Sequence, residues 1–214
     1  MRPTVAAILL PALAALAAAQ KPTERVVKGT VLTSDDNPKV RIELPRGAKY
    51  LGGERWDLYS IADCELHVWV EADEGKTVTR LYWVQFEGYL PSQPERRYNY
   101  PFSKTMKIAD LDFDVRTRAS AGTAQQRPDS DGAHVSARVQ SAGYRLPRDL
   151  MSVRLVHLPD EQKRKELMII YMEDLGPAGV TASDLQPGGK ASDRWAELER
   201  GLLERVTQKV KLSR

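Results

Sequence analysis

The sequence predicts an α+β fold: a curved, mainly antiparallel sheet, half-open in the manner of a barrel, packed against an amphipathic C-terminal helix. Three observations carry this. Short segments with alternating apolar side chains follow one another through most of the chain. One sharp hairpin signal joins two of the longest, and the clearest helical periodicity comes last, over residues 192–212.

The first segment is expected to leave the mature protein. In residues 1–20 (MRPTVAAILLPALAALAAAQ), Arg2 supplies a positive start and the run from Val5 to Leu16 is apolar. Ala17-Ala18-Ala19 then places small residues before Gln20. This is the pattern of a cleavable export signal over residues 1–19, which leaves residues 20–214 as one globular domain. Pro11 and the short apolar run disfavour a membrane span, which takes about 20 apolar residues. The expected location is periplasmic or secreted.

Residues 25–33 (RVVKGTVLT) and 39–44 (KVRIEL) alternate and are rich in Val and Ile, as strands are. Between them Ser34-Asp35-Asp36-Asn37-Pro38 is turn chemistry. Residues 50–61 carry Gly52-Gly53, the mark of a bulge or a close backbone approach. Residues 64–72 (CELHVWVEA) and 77–89 flank Asp73-Glu74-Gly75-Lys76 and read as a hairpin. With Asp73 set opposite Lys76, the residues Val70, Val68 and Leu66 fall opposite Thr79, Leu81 and Trp83. That makes an apolar face, and it also buries Cys64. On the other face Trp69 meets Arg80 and His67 meets Tyr82, with Phe86 continuing the row. A one-residue slip would exchange the two faces.

Pro91, Pro94 and Pro101 make residues 90–103 an irregular connection, because proline cannot donate to a ladder. Further strands are expected over 104–108, 111–117, 152–158 and 166–173. A helix is expected over 131–142, ending at Gly143. In the final helix Trp195, Leu198, Leu202, Val206 and Val210 share one face. Ser192 and Asp193 are its candidate N-caps, and its end is cationic.

Several function classes are disfavoured. Formal charge is +3 and of mixed sign along the chain, and the longest basic cluster is flanked by Glu161 and Glu166, so nucleic acid is not an expected partner. Cys64 is the sole cysteine and makes no intramolecular bridge. The motifs H-E-x-x-H, C-x-x-C, G-x-S-x-G and G-x-G-x-x-G are missing. His67, His134 and His157 lack the close spacing of local metal chelation. No catalytic residue, metal ligand or cofactor is assigned from the sequence.

The expected function is an exported, non-enzymatic module that binds a small apolar or amphipathic ligand. Its candidate binding residues are His67, Trp69, Arg80, Tyr82 and Phe86, the aromatic and polar face of the hairpin. Two other classes stand beside it. One is an envelope protein–protein interaction module anchored by Trp69, and the other a hydrolase or isomerase using His67 with Tyr82. Glu173, at the end of an apolar strand, is a separate candidate for a carboxylate with a raised pKa.

Overall fold

The computed structural model describes residues 21–102, 104–122 and 126–214. The leader expected over residues 1–19 lies outside them. In chain order the elements are β1 (Val26–Lys28), β2 (Val31–Ser34), β3 (Val40–Glu43), β4 (Lys49–Leu58), β5 (Ala62–Ala72) and β6 (Val78–Tyr89). There follow β7 (Lys104–Ile108), β8 (Leu111–Ala121), α1 (Asp131–Ser141), β9 (Asp149–His157), β10 (Lys165–Asp174), α2 (Trp195–Lys209) and β11 (Lys211–Ser213).

The strands form two antiparallel sheets. The larger runs β4-β5-β6-β10-β9-β8-β7 and the smaller β1-β2-β3-β11. Neither closes into a barrel, since β4 and β7 are left as edges of the larger sheet. The α+β class and the covering C-terminal helix are both present. The larger sheet, however, is covered on two sides. Over one face lie α2 and the small sheet, which bury Leu202, Val206, Val210, Leu32 and Ile42 against Trp69, Tyr82, Phe113, Leu155 and Ile169. Over the other lies α1, which buries Val135 and Val139 against Leu66, Val68, Trp83, Met168 and Ile170.

The β5–β6 hairpin keeps its expected faces through two compensating shifts. Its turn is one residue longer than expected, with the Asp73 amide donating to the Thr77 carbonyl at 2.9 Å. The left-handed turn residue is Lys76, at φ 62°, rather than Gly75. Thr79 then bulges, since Ala72 pairs with Val78 and Glu71 with Arg80. The two single-residue shifts sum to an even number, so side-chain parity is restored. Val68 therefore faces Trp83 and Val70 faces Leu81, while Trp69 faces Tyr82 and His67 faces Val84.

Three local expectations need correction. Residues 25–33 are two strands, because the chain reverses at Gly29, which takes φ 62°. The final helix stops at Lys209, and Val210 turns extended so that Lys211–Ser213 can pair with the open edge of β3. Ser192 and Asp193 sit in a 3-10 turn ahead of α2, and neither side chain accepts a capping bond from its first amides. The Gly52-Gly53 signal is borne out. The β4–β5 register shifts between Tyr50 and Gly52, and a Cβ on Gly53 would fall 2.6 Å from His67 Nδ1.

The docking of α2 rests on its apolar stripe, where Leu202 is 1 % exposed. Leu202→Ala should cost roughly 2–5 kcal/mol by cavity formation. Val26→Ser, at a position 52 % exposed, should change stability by less than about 0.5 kcal/mol. Urea unfolding midpoints with unchanged slopes check both.

Candidate functional site

The hairpin face singled out from the sequence is a polar and aromatic core layer. Its covering is held on by its own polar groups. The Glu65 carboxylate accepts from the Glu24 and Arg25 amides at 2.9 and 2.8 Å and from the Arg25 guanidinium at 3.1 Å. His67 Nε2 donates to Glu65 at 2.9 Å, and Nδ1 lies 2.8 Å from the Tyr50 hydroxyl. Burial pushes the Glu65 carboxyl up, but these four donors together outweigh it and hold the group down at about 2. Trp69 Nε1 donates to the Gly29 carbonyl at 2.9 Å, tying the β1–β2 turn to the sheet.

His67, Trp69, Tyr82 and Phe86 are thus all buried, and Arg80 is half-buried. The Trp69–Arg80 stack is replaced by an Arg80–Glu71 ion pair at 2.9 Å. The Tyr82 hydroxyl donates to Glu71 at 2.5 Å and makes no bond to His67. Phe86 lies 4.3 Å beneath the Arg25 guanidinium and forms part of the wall of a surface cleft of about 430 Å³. Charges in that cleft largely neutralise one another, as in the pairs Arg25–Glu65 and Arg55–Asp63. Glu173 is bound by Arg205 of α2 at 2.7 and 2.8 Å.

The opposite face of the larger sheet carries a second cavity, of about 300 Å³, between α1 and strands β6, β8, β9 and β10. α1 starts at Ser130, whose hydroxyl accepts from the Ala133 amide at 3.3 Å, and ends before Gly143, which takes φ 78°. Glu54 anchors the helix to β4 by bonds to His134 at 2.7 Å and Arg138 at 2.6 Å, and the His134 ring stacks 4.1 Å from Trp56. Trp83, Ile170 and Met172 line the cavity from the sheet, with Val135, Leu146 and Leu150 around them. Three guanidinium groups, from Arg116, Arg118 and Arg154, share it with one carboxyl, that of Asp131.

Behind the cavity lies a buried acid cluster. Trp83 Nε1 donates to Gln85 at 2.9 Å, Gln85 donates to Glu87 at 3.0 Å, and the Tyr98 hydroxyl donates to Glu87 at 2.8 Å. Glu166, 1 % exposed, accepts from the Tyr100 hydroxyl and lies 3.7 Å from Arg154. Burial raises the Glu166 carboxyl to about 8, and the neighbouring Glu87 adds to the shift. Burial also raises Glu87, Asp131 and the Cys64 thiol. Cys64, Glu87 and Asp131 offer ligand atoms within 4.8 Å of one another. Burial works against the charged form of each, which disfavours a preformed anionic cage.

None of the five candidate residues lines this cavity. The residues missed are Arg116, Arg118, Arg154, Glu166 and Glu87. Their signal was parity: Arg116 and Arg118 alternate on one strand, and Glu87 and Glu166 share the faces of Trp83 and Ile170. Comparison with known proteins finds no matching family model, no matching curated protein and no matching solved structure. No helix among the described residues is long and apolar enough to cross a membrane.

The two carboxyls Glu65 and Glu166 impose opposite pH dependences on folding. Glu65, lowered in the fold, contributes stability above the ordinary carboxylate range, and this is lost as pH falls toward about 2. Glu166, raised in the fold, contributes most below that range and progressively less as pH rises through about 8. Melting temperatures followed across pH should show Glu65→Gln losing roughly 3–5 kcal/mol near neutrality but little in strong acid. Glu166→Gln should flatten the alkaline decline.

Proposed function

We propose that the chain is an exported, non-enzymatic module that takes a small amphipathic ligand into the cavity between α1 and the larger sheet. The cavity itself carries this reading. At about 300 Å³ it is at the lower end of the range for small-molecule sites, with Trp83 and aliphatic side chains on one part of its lining and arginine and serine side chains on the rest. Export rests on the leader pattern Arg2, Val5 to Leu16 and Ala17-Ala18-Ala19. Binding is favoured over hydrolysis because the histidines and the serine on the sheet floor of the cavity are already committed. Ser152 donates to the Arg118 carbonyl at 3.4 Å, His134 is held by Glu54, and His67 is 1 % exposed on the far side of the sheet.

The ligand site differs from the one expected on the His67 face, but its physical type is the same: an aromatic wall with directed polar groups. Trp83 gives it an intrinsic reporter. Titration with the neutral apolar probe N-phenylnaphthylamine should raise probe fluorescence and quench tryptophan emission together. Ser136→Trp, a partly exposed α1 position lining the cavity, should fill the space and weaken binding at least about tenfold, with the melting temperature nearly unchanged. Full binding by Ser136→Trp would defeat the assignment.

A further inference from the structure

The arginines of the cavity gather more positive charge than the carboxyls around them offset, although Arg116 lies over the Phe102 ring and Arg154 over that of Tyr100. Arg116 and Arg154 are direct partners in the β8–β9 register, and Arg118 lies two pairs further along on the same face, opposite Ser152. Like charges directly opposite on a sheet destabilise it. Among the described residues neither Arg116 nor Arg118 has an ion-pair partner within 4.0 Å. Arg154 has one ion-pair partner, Glu166 at 3.7 Å, and donates from one terminal nitrogen to the Tyr100 hydroxyl at 3.3 Å, but its Nε is buried without a hydrogen-bond partner. A buried guanidinium donor left unpaired is costly, and a site that gathers three guanidinium groups is complementary to an anion.

We propose, building on the cavity reading above, that the ligand's head group is an anion received by Arg116, Arg118 and Arg154, its apolar body lying against Ile170, Met172 and Leu150. The arginine fork supplies paired donors for a carboxylate or phosphate oxygen, which a neutral polar head would leave unused. An anion there relieves the Arg116–Arg154 repulsion and offers an acceptor for the Arg154 donor.

Glu166 makes this site sensitive to pH. Around it stand Glu87 and Tyr89 from β6, Cys64 from β5, Arg154 from β9, Asp131 from α1, and Tyr98 and Tyr100 from the connection between β6 and β7. Near neutrality its carboxyl is protonated, so the Arg154 charge is left for the ligand. As pH rises through about 8, Glu166 ionises and competes for Arg154. Anion affinity therefore falls with rising pH.

The test pairs two probes with the same body. Anilinonaphthalene sulfonate carries a sulfonate that stays ionised across this range, and N-phenylnaphthylamine lacks it. The wild type should bind the sulfonate more tightly near neutrality. Arg118→Ala and Arg116→Ala, both at exposed positions, should each weaken the sulfonate about tenfold and leave the neutral probe unchanged. The sulfonate's advantage should shrink above about pH 8 in the wild type and persist in Glu166→Gln. Decanoate should displace the sulfonate where inorganic phosphate at equal concentration does not.

Equal affinity for the two probes, equal loss of both in the arginine variants, or displacement by phosphate alone overturns the proposal. A wild type that binds neither probe instead defeats the cavity reading on which it rests.

Discussion

Strands β5, β6 and β10 are covered on one side by α2 and the small sheet and on the other by α1. Over the middle of these strands both sets of alternating side chains are therefore buried. A sheet face open to solvent can carry charge without cost, whereas one pressed against a second layer must be apolar or fully paired. The buried polar residues at the centre of these strands meet that demand by pairing. Glu65 and His67 complete each other and capture the N-terminal segment, while Gln85, Glu87 and Glu166 form chains with Trp83, Tyr98 and Tyr100.

The contrast between Glu65 and Glu166 illustrates how far burial alone decides protonation. Both are about 1 % exposed. Glu65 has four donors, two of them main-chain amides that cannot change charge, and it stays ionised. Glu166 has one phenolic donor, a distant guanidinium and the Glu87 carboxyl beside it, so the neutral form wins. Similar solvent exposure leads to opposite shifts because Glu166 lies deeper, has fewer donors and faces a second carboxyl. The first carboxyl works as a clamp between layers, and the second, pushed up by burial, lies 3.7 Å from Arg154.

The helices contribute unequally to this arrangement. α2 seals its face, with Leu202, Val206 and Val210 buried and Arg205 pinned to Glu173, and β11 then carries the chain end into the small sheet. α1 is shorter and buries two valines over the strands nearest β4. It leaves the sheet beneath its N-terminal end less tightly filled, and the cavity with its arginines lies there.

The sequence by itself determined the α+β class, most strand positions, the hairpin and the side-chain parity of CELHVWVEA, since periodicity and turn chemistry are properties of neighbouring residues. It also marked Gly52-Gly53 as a place of close approach, which the His67 ring makes literal. Only the tertiary structure decided which face would be a cavity. Trp69 and Tyr82 are mixed aromatic and polar in pattern, and that pattern suits a ligand wall and a paired core layer equally well. Trp83 lies on the face whose pattern indicates core, yet lines a cavity. The difference is set by what lies across from the strand: a filled layer of α2 and the small sheet on one side, the end of a short helix on the other. No local spacing in β5 or β6 encodes that partner, because it arrives from other segments of the chain: β1 to β3 before the hairpin, and α1 and α2 well after it.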